Sequence, residues 1–434
     1  MMFIPKPVSN NGLFYFYPVW WCCMYEQKLA ANVWKLQVIR IIRWFVLIIP
    51  VIVPFYQENG LSMTRILVLQ SVFSIAVFVF EIPSGYFADA AGRKISVVFG
   101  LICSALGFIA YTVSYSFWGF LTGELIMGLG ASFISGADSA LLYDSLLQLG
   151  RQEEYKKIEG RLSAWGSISE GSASILGGLL AAVSLRLPLY AETALVIAVI
   201  PIALSLAEPL RKGFPAGENH WRSVLSVVKY AAYDNRKLRW IILYASVVGA
   251  STLTAAWLVQ PYFKRVGLPI QWYGIIWAAL QFSTAGWSFS AHAFESRFGL
   301  RRSLIALIAL SVIGYAVLGL CTGLGFIAVF FVFYLVRGVN GPILLDCINR
   351  SASSDVRATV ISAYALCLRL IFAIIGPVLG WITDRCSLAA AFGAGGLFFA
   401  VLGACSLIGL VRSWAQEEIR YRKEAGIPEP AAAG

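Results

Sequence analysis

Charge is scarce in this chain. Only 13% of its 434 residues are Asp, Glu, Lys or Arg, histidine occurs twice, and no Cys-x-x-Cys or Cys/His cluster interrupts the apolar runs. Cys103, Cys321, Cys367 and Cys405 lie singly inside those runs, a spacing that leaves no thiolate–imidazole metal centre to assemble. The loops hold no Ser/His/Asp set and no nucleotide-binding motif, so an enzyme embedded in the membrane is set aside, and neither metal nor cofactor is expected. What fills the sequence instead is hydrophobic residues, at 59%, with a mean hydropathy of +0.74. A water-soluble domain needs a far more even mixture. The net charge of +11 does not point to nucleic acid, because Lys and Arg stand between the apolar runs and build no basic face.

The apolar runs are each about 20 residues long, enough to cross about 30 Å of hydrocarbon as a helix. They fall at about Leu36 to Phe55, Thr64 to Phe87, Ile95 to Val113, Phe117 to Leu146, Ile158 to Val183 and Leu187 to Ala207. A second set covers about Leu238 to Phe263, Ile270 to Phe294, Ser303 to Cys321, Leu324 to Ile348, Val356 to Thr383 and Leu388 to Val411. This predicts an all-α membrane protein of twelve transmembrane segments, with six-helix bundles over 36–208 and 238–412. Between them 209–237 reads as a cytoplasmic linker, where Trp221, Val224, Leu225 and Val228 recur at helical spacing among basic residues. Residues 413–434 read as a cytoplasmic tail. Residues 1–35 read as an extension that is interfacial or disordered, since Leu13 to Met24 is apolar but too short to span; the natural start could equally be Met24.

With the amino terminus inside, Arg93/Lys94, Arg151/Lys156/Lys157/Arg161, Arg301/Arg302 and Arg420/Arg422/Lys423 all face the cytoplasm, along with the linker's cations. The opposite loops hold few. The two sets of segments are also copies of each other. Pro54-Phe55-Tyr56-Gln57-Glu58-Asn59-Gly60-Leu61 reappears as Pro261-Tyr262-Phe263-Lys264-Arg265-Val266-Gly267-Leu268, an offset of about 207 residues. Ser139 to Asp144 matches Gly341 to Asp346 at about 202. Duplicated six-helix halves of this kind enclose a cleft that opens alternately to either side of a bilayer.

After the second segment comes Gly85-Tyr86-Phe87-Ala88-Asp89-Ala90-Ala91-Gly92-Arg93-Lys94. In this context, on the basic side between the second and third segments, it resembles the loop signature of the major facilitator superfamily. The resemblance implies a secondary transporter, with Gly85, Asp89, Gly92, Arg93, Lys94 and Asp144 as a conformational latch. Asp89 is expected at the free amides that begin the eleventh segment near Val356, and Arg93 on Asp144. Gly85 is expected to let helices pack closely. The second-half copy, Glu295-Ser296-Arg297-Phe298-Gly299-Leu300-Arg301-Arg302, has Ser296 where the acid should stand. The eleventh segment carries Gly376, Pro377 and Gly380, while the fifth has Ala173-Ser174 where drug/proton antiporters of the family usually carry Gly-Pro.

Ionisable groups in a bilayer are costly unless paired or hydrated, so those present are functional suspects. They are Glu81, Glu124, Asp138, Glu170, Arg337 and Arg369, with Arg40 and Arg43 in the inner part of the first segment. Arg337 and Arg369 would hold an anionic group of a solute, or else pair with the acids. Glu81 or Glu170, buried, would carry a proton. Trp277 and Gln281, with Trp257, Gln260 and Trp287, could line the cavity. His220 and His292 fall in or near cytoplasmic loops, which points to surface roles. The resulting expectation is a proton-coupled carrier of a small organic solute, acting as a monomer without nucleic acid. Its place would be a bacterial inner membrane, with both termini cytoplasmic. Direction stays open, and a transporter-shaped sensor that binds without turnover is the alternative.

Overall fold

The computed structural model describes residues 3–7, 14–210, 235–351 and 354–424. A two-stranded antiparallel pair, β1 (Phe3–Pro7) and β2 (Phe14–Pro18), comes first, and the regular elements after it among the described residues are helices. Among the described residues fourteen α-helices follow: α1 Val19–Trp44, α2 Ile52–Glu58, α3 Met63–Ala91, α4 Arg93–Val113, α5 Phe117–Ile134, α6 Ala137–Gln148, α7 Tyr155–Val183 and α8 Leu187–Leu204. After the linker come α9 Arg236–Arg265, α10 Gln271–Phe298, α11 Leu300–Leu320, α12 Phe330–Ser351, α13 Ser354–Arg385 and α14 Leu388–Glu424. Residues 211–234, which hold the expected linker helix and His220, lie outside the described residues.

Among the described residues, eleven helical stretches are long and apolar enough to cross a membrane. The expected eighth segment is α10, a 28-residue helix that Gln271, Gln281, Ser283, Thr284 and His292 make more polar than the rest. The first segment differs most from expectation. Its helix begins at Val19 rather than Leu36, because the lead-in has its own partners. Asn32, fully buried, donates to Ser145 Oγ (2.9 Å) and to the Ala207 carbonyl (2.8 Å) and accepts from the Ala207 amide (2.9 Å). The segment then breaks between Trp44 and Ile52, where Pro50 lacks an N–H group and its ring crowds the preceding carbonyls; Pro54 follows in the first turn of α2. The fourth segment breaks too, between α5 and α6, at Gly136 with φ 75°, a left-handed conformation that favours glycine.

The chain divides into two compact units. One comprises Met1–Leu61, Val68–His220 and Pro269–Phe282. Its core joins α1, α4, α6 and α8 through Leu36, Ile39, Val97, Leu101, Leu141, Leu142, Leu146, Val199 and Ala203. Here α4 and α5 cross with backbones almost touching: a Cβ on Gly100 would lie 2.6 Å from the Gly130 carbonyl oxygen, and one on Gly130 equally close to that of Gly100. The other unit comprises Ser62–Leu67, Trp221–Leu268 and Ser283–Gly434. It is built around α9, which is buried along most of its length against α12, α13 and α14. Tyr315, Phe330, Phe333, Phe392 and Phe399 pack there as an aromatic cluster. The second and eighth segments therefore each begin in the unit opposite the one that holds most of their half.

Candidate functional site

The turn between the second and third segments is built by one residue. Gly92, at φ 129°, lets the chain leave α3 at Ala91 and start α4 at Arg93. The first amides of α4 then need acceptors, and Glu208 supplies them, taking Arg93 N–H (2.9 Å) and Lys94 N–H (2.7 Å). Arg93 in turn donates through Nη1 to the carboxylate of Asp144 and to the Ala140 carbonyl (2.8 Å). Asp89 sits half-buried on the last turns of α3. The side chain of Val356 lies outside the described residues. The expected role of Gly85 in close packing is corrected: among the described residues nothing lies within 4 Å of where its Cβ would be.

The break in the fourth segment gathers a cluster of charges. Arg40, 9% exposed on α1, donates through Nε to Asp138 (2.8 Å), through Nη1 to Glu159 (2.7 Å) and through Nη2 to Ser139 (2.7 Å). Arg43 is 3.6 Å from the same Asp138 oxygen. These groups, with Trp44, Ser135 and Gly136, line a cavity of about 540 Å3. Asp138 is thus paired, and so is Arg40; Glu159, at the start of the fifth segment and not among the expected candidates, completes the set.

Elsewhere in the same unit Glu124 is 2% exposed and held by the Tyr56 hydroxyl (3.0 Å) and the Gln70 amide (2.5 Å). Tyr56 also bonds Tyr111 (2.9 Å). All of these partners are neutral. Glu192, absent from the sequence-based candidates, is equally buried on α8 and accepts from the Ile48 amide (3.1 Å) where the first segment is broken. A carboxylate inside the apolar run Leu187 to Ala207 was itself the signal that could have found it. Glu170 meets Gln281 of α10, so those two candidates are brought together. Glu81 is exposed on α3, so the argument that burial prepares it to hold a proton does not apply. Trp277 is buried (6% exposed) and packs within the unit instead of presenting a ring to open space.

In the second unit Arg337 is exposed on α12 and beside Tyr364 of α13, with no ion pair among the described residues. Arg369 is half-buried on α13. His292, expected in or near a loop, is close to the end of helix α10 and lines a cavity of about 680 Å3 with Glu295, Ser296, Pro342 and Asp346. Gly380 touches the start of α3: its Cβ would lie 2.8 Å from the Met63 carbonyl oxygen. Gly376 and Pro377 continue the same helix without breaking it.

The family model described as Major Facilitator Superfamily matches residues 36–377, most of the chain. The chain belongs to that superfamily. Among curated relatives, the tetracycline resistance protein class C of Escherichia coli is 23% identical over 329 residues, 72% of this chain and 78% of that protein. The inner membrane transport protein YajR of Escherichia coli is 30% identical over 135 residues, but the match spans 31% of this chain and only 28% of YajR. The quinolone resistance protein NorA of Staphylococcus aureus is 22% identical over 171 residues, 39% of this chain and 43% of NorA. Of solved structures, the nucleoside transporter NupG superposes with a TM-score of 0.71 at 14% identity, covering 88% of this chain and 98% of NupG. A D-xylose–proton symporter gives 0.63 at 13%, covering 89% and 97%. Membership makes the chain a multi-pass integral membrane transporter of the superfamily rather than an enzyme.

Proposed function

We propose that the protein carries a small organic solute bearing an anionic group by alternating access, coupled to protons, as a monomer in a bacterial inner membrane with both termini cytoplasmic. The observation that carries this reading is Arg337. A guanidinium inside the stretch Leu324–Ile348 with no acid beside it among the described residues is tolerable only where water reaches it, so it faces an aqueous path. There it offers a carboxylate or phosphate two parallel hydrogen bonds. The buried arginine of the first unit, Arg40, is already taken by acids.

Glu124 is the proton carrier in this scheme. Its partners are two tyrosine hydroxyls in a chain and a carboxamide, groups able to donate or accept, so either protonation state of the carboxyl can be hydrogen-bonded in place. The Arg93–Asp144 pair and the Glu208 cap hold the inner turn as the latch the family resemblance implies. The excess of Lys and Arg in the linker and the loops assigned to the cytoplasm supports the orientation. A second reading, export of amphipathic compounds, is favoured by the resistance proteins among the relatives.

Flux in proteoliposomes tests the proposal. An inward or outward proton gradient should drive accumulation of an organic anion, and Arg337→Ala should abolish it. Movement of lipophilic cations only, unaffected by Arg337→Ala, would overturn the anion reading in favour of export.

A further inference from the structure

The carboxylate of Asp384, in the last turn of α13, closes on the first turn of α3. Its Oδ1 accepts from Met63 N–H (2.9 Å), and its Oδ2 accepts from Thr64 N–H (2.8 Å) and from the Thr64 hydroxyl (2.5 Å). Met63 is the first residue of α3, so these amides are among the donors that a helix start leaves without partners. One turn before Asp384 on the same face, Gly380 lets the backbones meet, with the Met63 carbonyl and Thr64 Cα each within 2.9 Å of its missing Cβ. Another turn back, Leu67 lies 3.8 Å from that of Gly376. The first turn of the second segment is thus docked along Gly376, Gly380 and Asp384 of the eleventh.

We propose that Asp384 is a releasable fastener of this docking, one that must open each time the outer ends of the second and eleventh segments part. The inference rests on the alternating-access reading. Two features make the contact a fastener rather than plain packing. It joins helices from different sequence repeats, since α3 belongs to the first half and α13 to the second. It is also one-sided. At the repeat-related corner, α7 meets α10 through Ser174, Gly178 and Gly274 with comparable closeness, but the position corresponding to Asp384, at an offset of about 203, is Ala181. The carboxylate is exposed, so water can replace the amides as the contact opens, and the bond restrains the pair without fusing it. A helix cap of this kind, with anion and dipole aligned, shifts an equilibrium by about fivefold. It is the outer-face counterpart of the role the family resemblance implies for Asp89 at the inner face.

The test places a single cysteine at Met63, buried in this contact, in a chain whose eight native cysteines are replaced. A membrane-impermeant maleimide is applied from the outer side of intact cells, and solute flux is measured on the same variants. Asp384→Ala should raise the labelling rate about fivefold, with Asp384→Asn between the two. Thr64→Val, which removes the hydroxyl donor from the other partner, should move it the same way and serves if the alanine variant does not fold. Unchanged labelling in these variants, while the parent still transports, would sink the fastener and leave the carrier reading intact. A parent that moves no solute in any direction would overturn the carrier reading and the fastener with it.

Discussion

Arg40 and Asp138 meet at 2.8 Å across the break in the fourth segment, and the same guanidinium holds Glu159 at 2.7 Å. One buried cation therefore serves two acids drawn from α6 and α7. Removing it leaves Glu159 without a cation among the described residues and Asp138 with only the more distant Arg43 at 3.6 Å, whereas removing Asp138 leaves Arg40 still bonded to Glu159 and Ser139. We expect Arg40→Ala to cost about 3–5 kcal/mol and Asp138→Asn clearly less, read as the order of melting temperatures in detergent. Equal losses, or the reverse order, would contradict this reading of the cluster.

The latch on the inner turn makes a reciprocal prediction. Arg93→Asp and Asp144→Arg should each reduce flux by about tenfold without loss of expression, because a latch biases the population of one state by its differential free energy. The double reversal Arg93→Asp/Asp144→Arg re-forms the pair, and flux should return in part. Failure of the double variant to exceed either single one would show that the charges act separately.

In the proposed scheme proton coupling and solute binding separate at Glu124. In Glu124→Gln the hydrogen bonds to Tyr56 and Gln70 can be kept while no proton can be released. Counterflow exchange of labelled for unlabelled solute should persist, while accumulation driven by a proton gradient is lost. Retained gradient-driven accumulation would remove Glu124 from the pathway.

Packing gives a contrast between two glycines. At Gly100 an added Cβ would lie 2.5 Å from the Ile134 side chain and 2.6 Å from the Gly130 carbonyl oxygen, so Gly100→Val should cost about 1–3 kcal/mol or more by overpacking. Gly85→Ala meets nothing within 4 Å among the described residues and should melt at or slightly above the parent. Thermal unfolding of both variants in the same detergent checks the contrast.

Much of this molecule could be read without coordinates, for reasons visible in particular residues. Apolar runs long enough to cross hydrocarbon declare themselves, and the motif from Gly85 to Lys94 carried the family. The repeat of Pro54 to Leu61 at Pro261 to Leu268 announced the two halves. What escaped depends on which faces turn towards each other. Glu208 and Asp384 look like ordinary loop-end acids until α4 and α3 present free amides to them. Arg40 and Glu159 are 119 positions apart and become partners only through the packing of α1 on α7. Glu81 and Glu124 both interrupt apolar stretches, yet one is exposed and the other sealed by Tyr56, Tyr111 and Phe120, a difference that helical rotation decides. The early start of the first helix followed from Asn32, a polar residue in a stretch too short and too mixed to read as spanning.

The central claim is that Arg337 receives an anionic group of the solute, and ligand-dependent melting in detergent tests it most directly, since a ligand of the native state stabilises it by mass action. Against a panel of organic anions, lipophilic cations and neutral sugars, an anion should raise the melting temperature, and Arg337→Ala, otherwise folded, should lose the rise. Stabilisation by lipophilic cations or sugars alone, or an anion effect unchanged in Arg337→Ala, would contradict it.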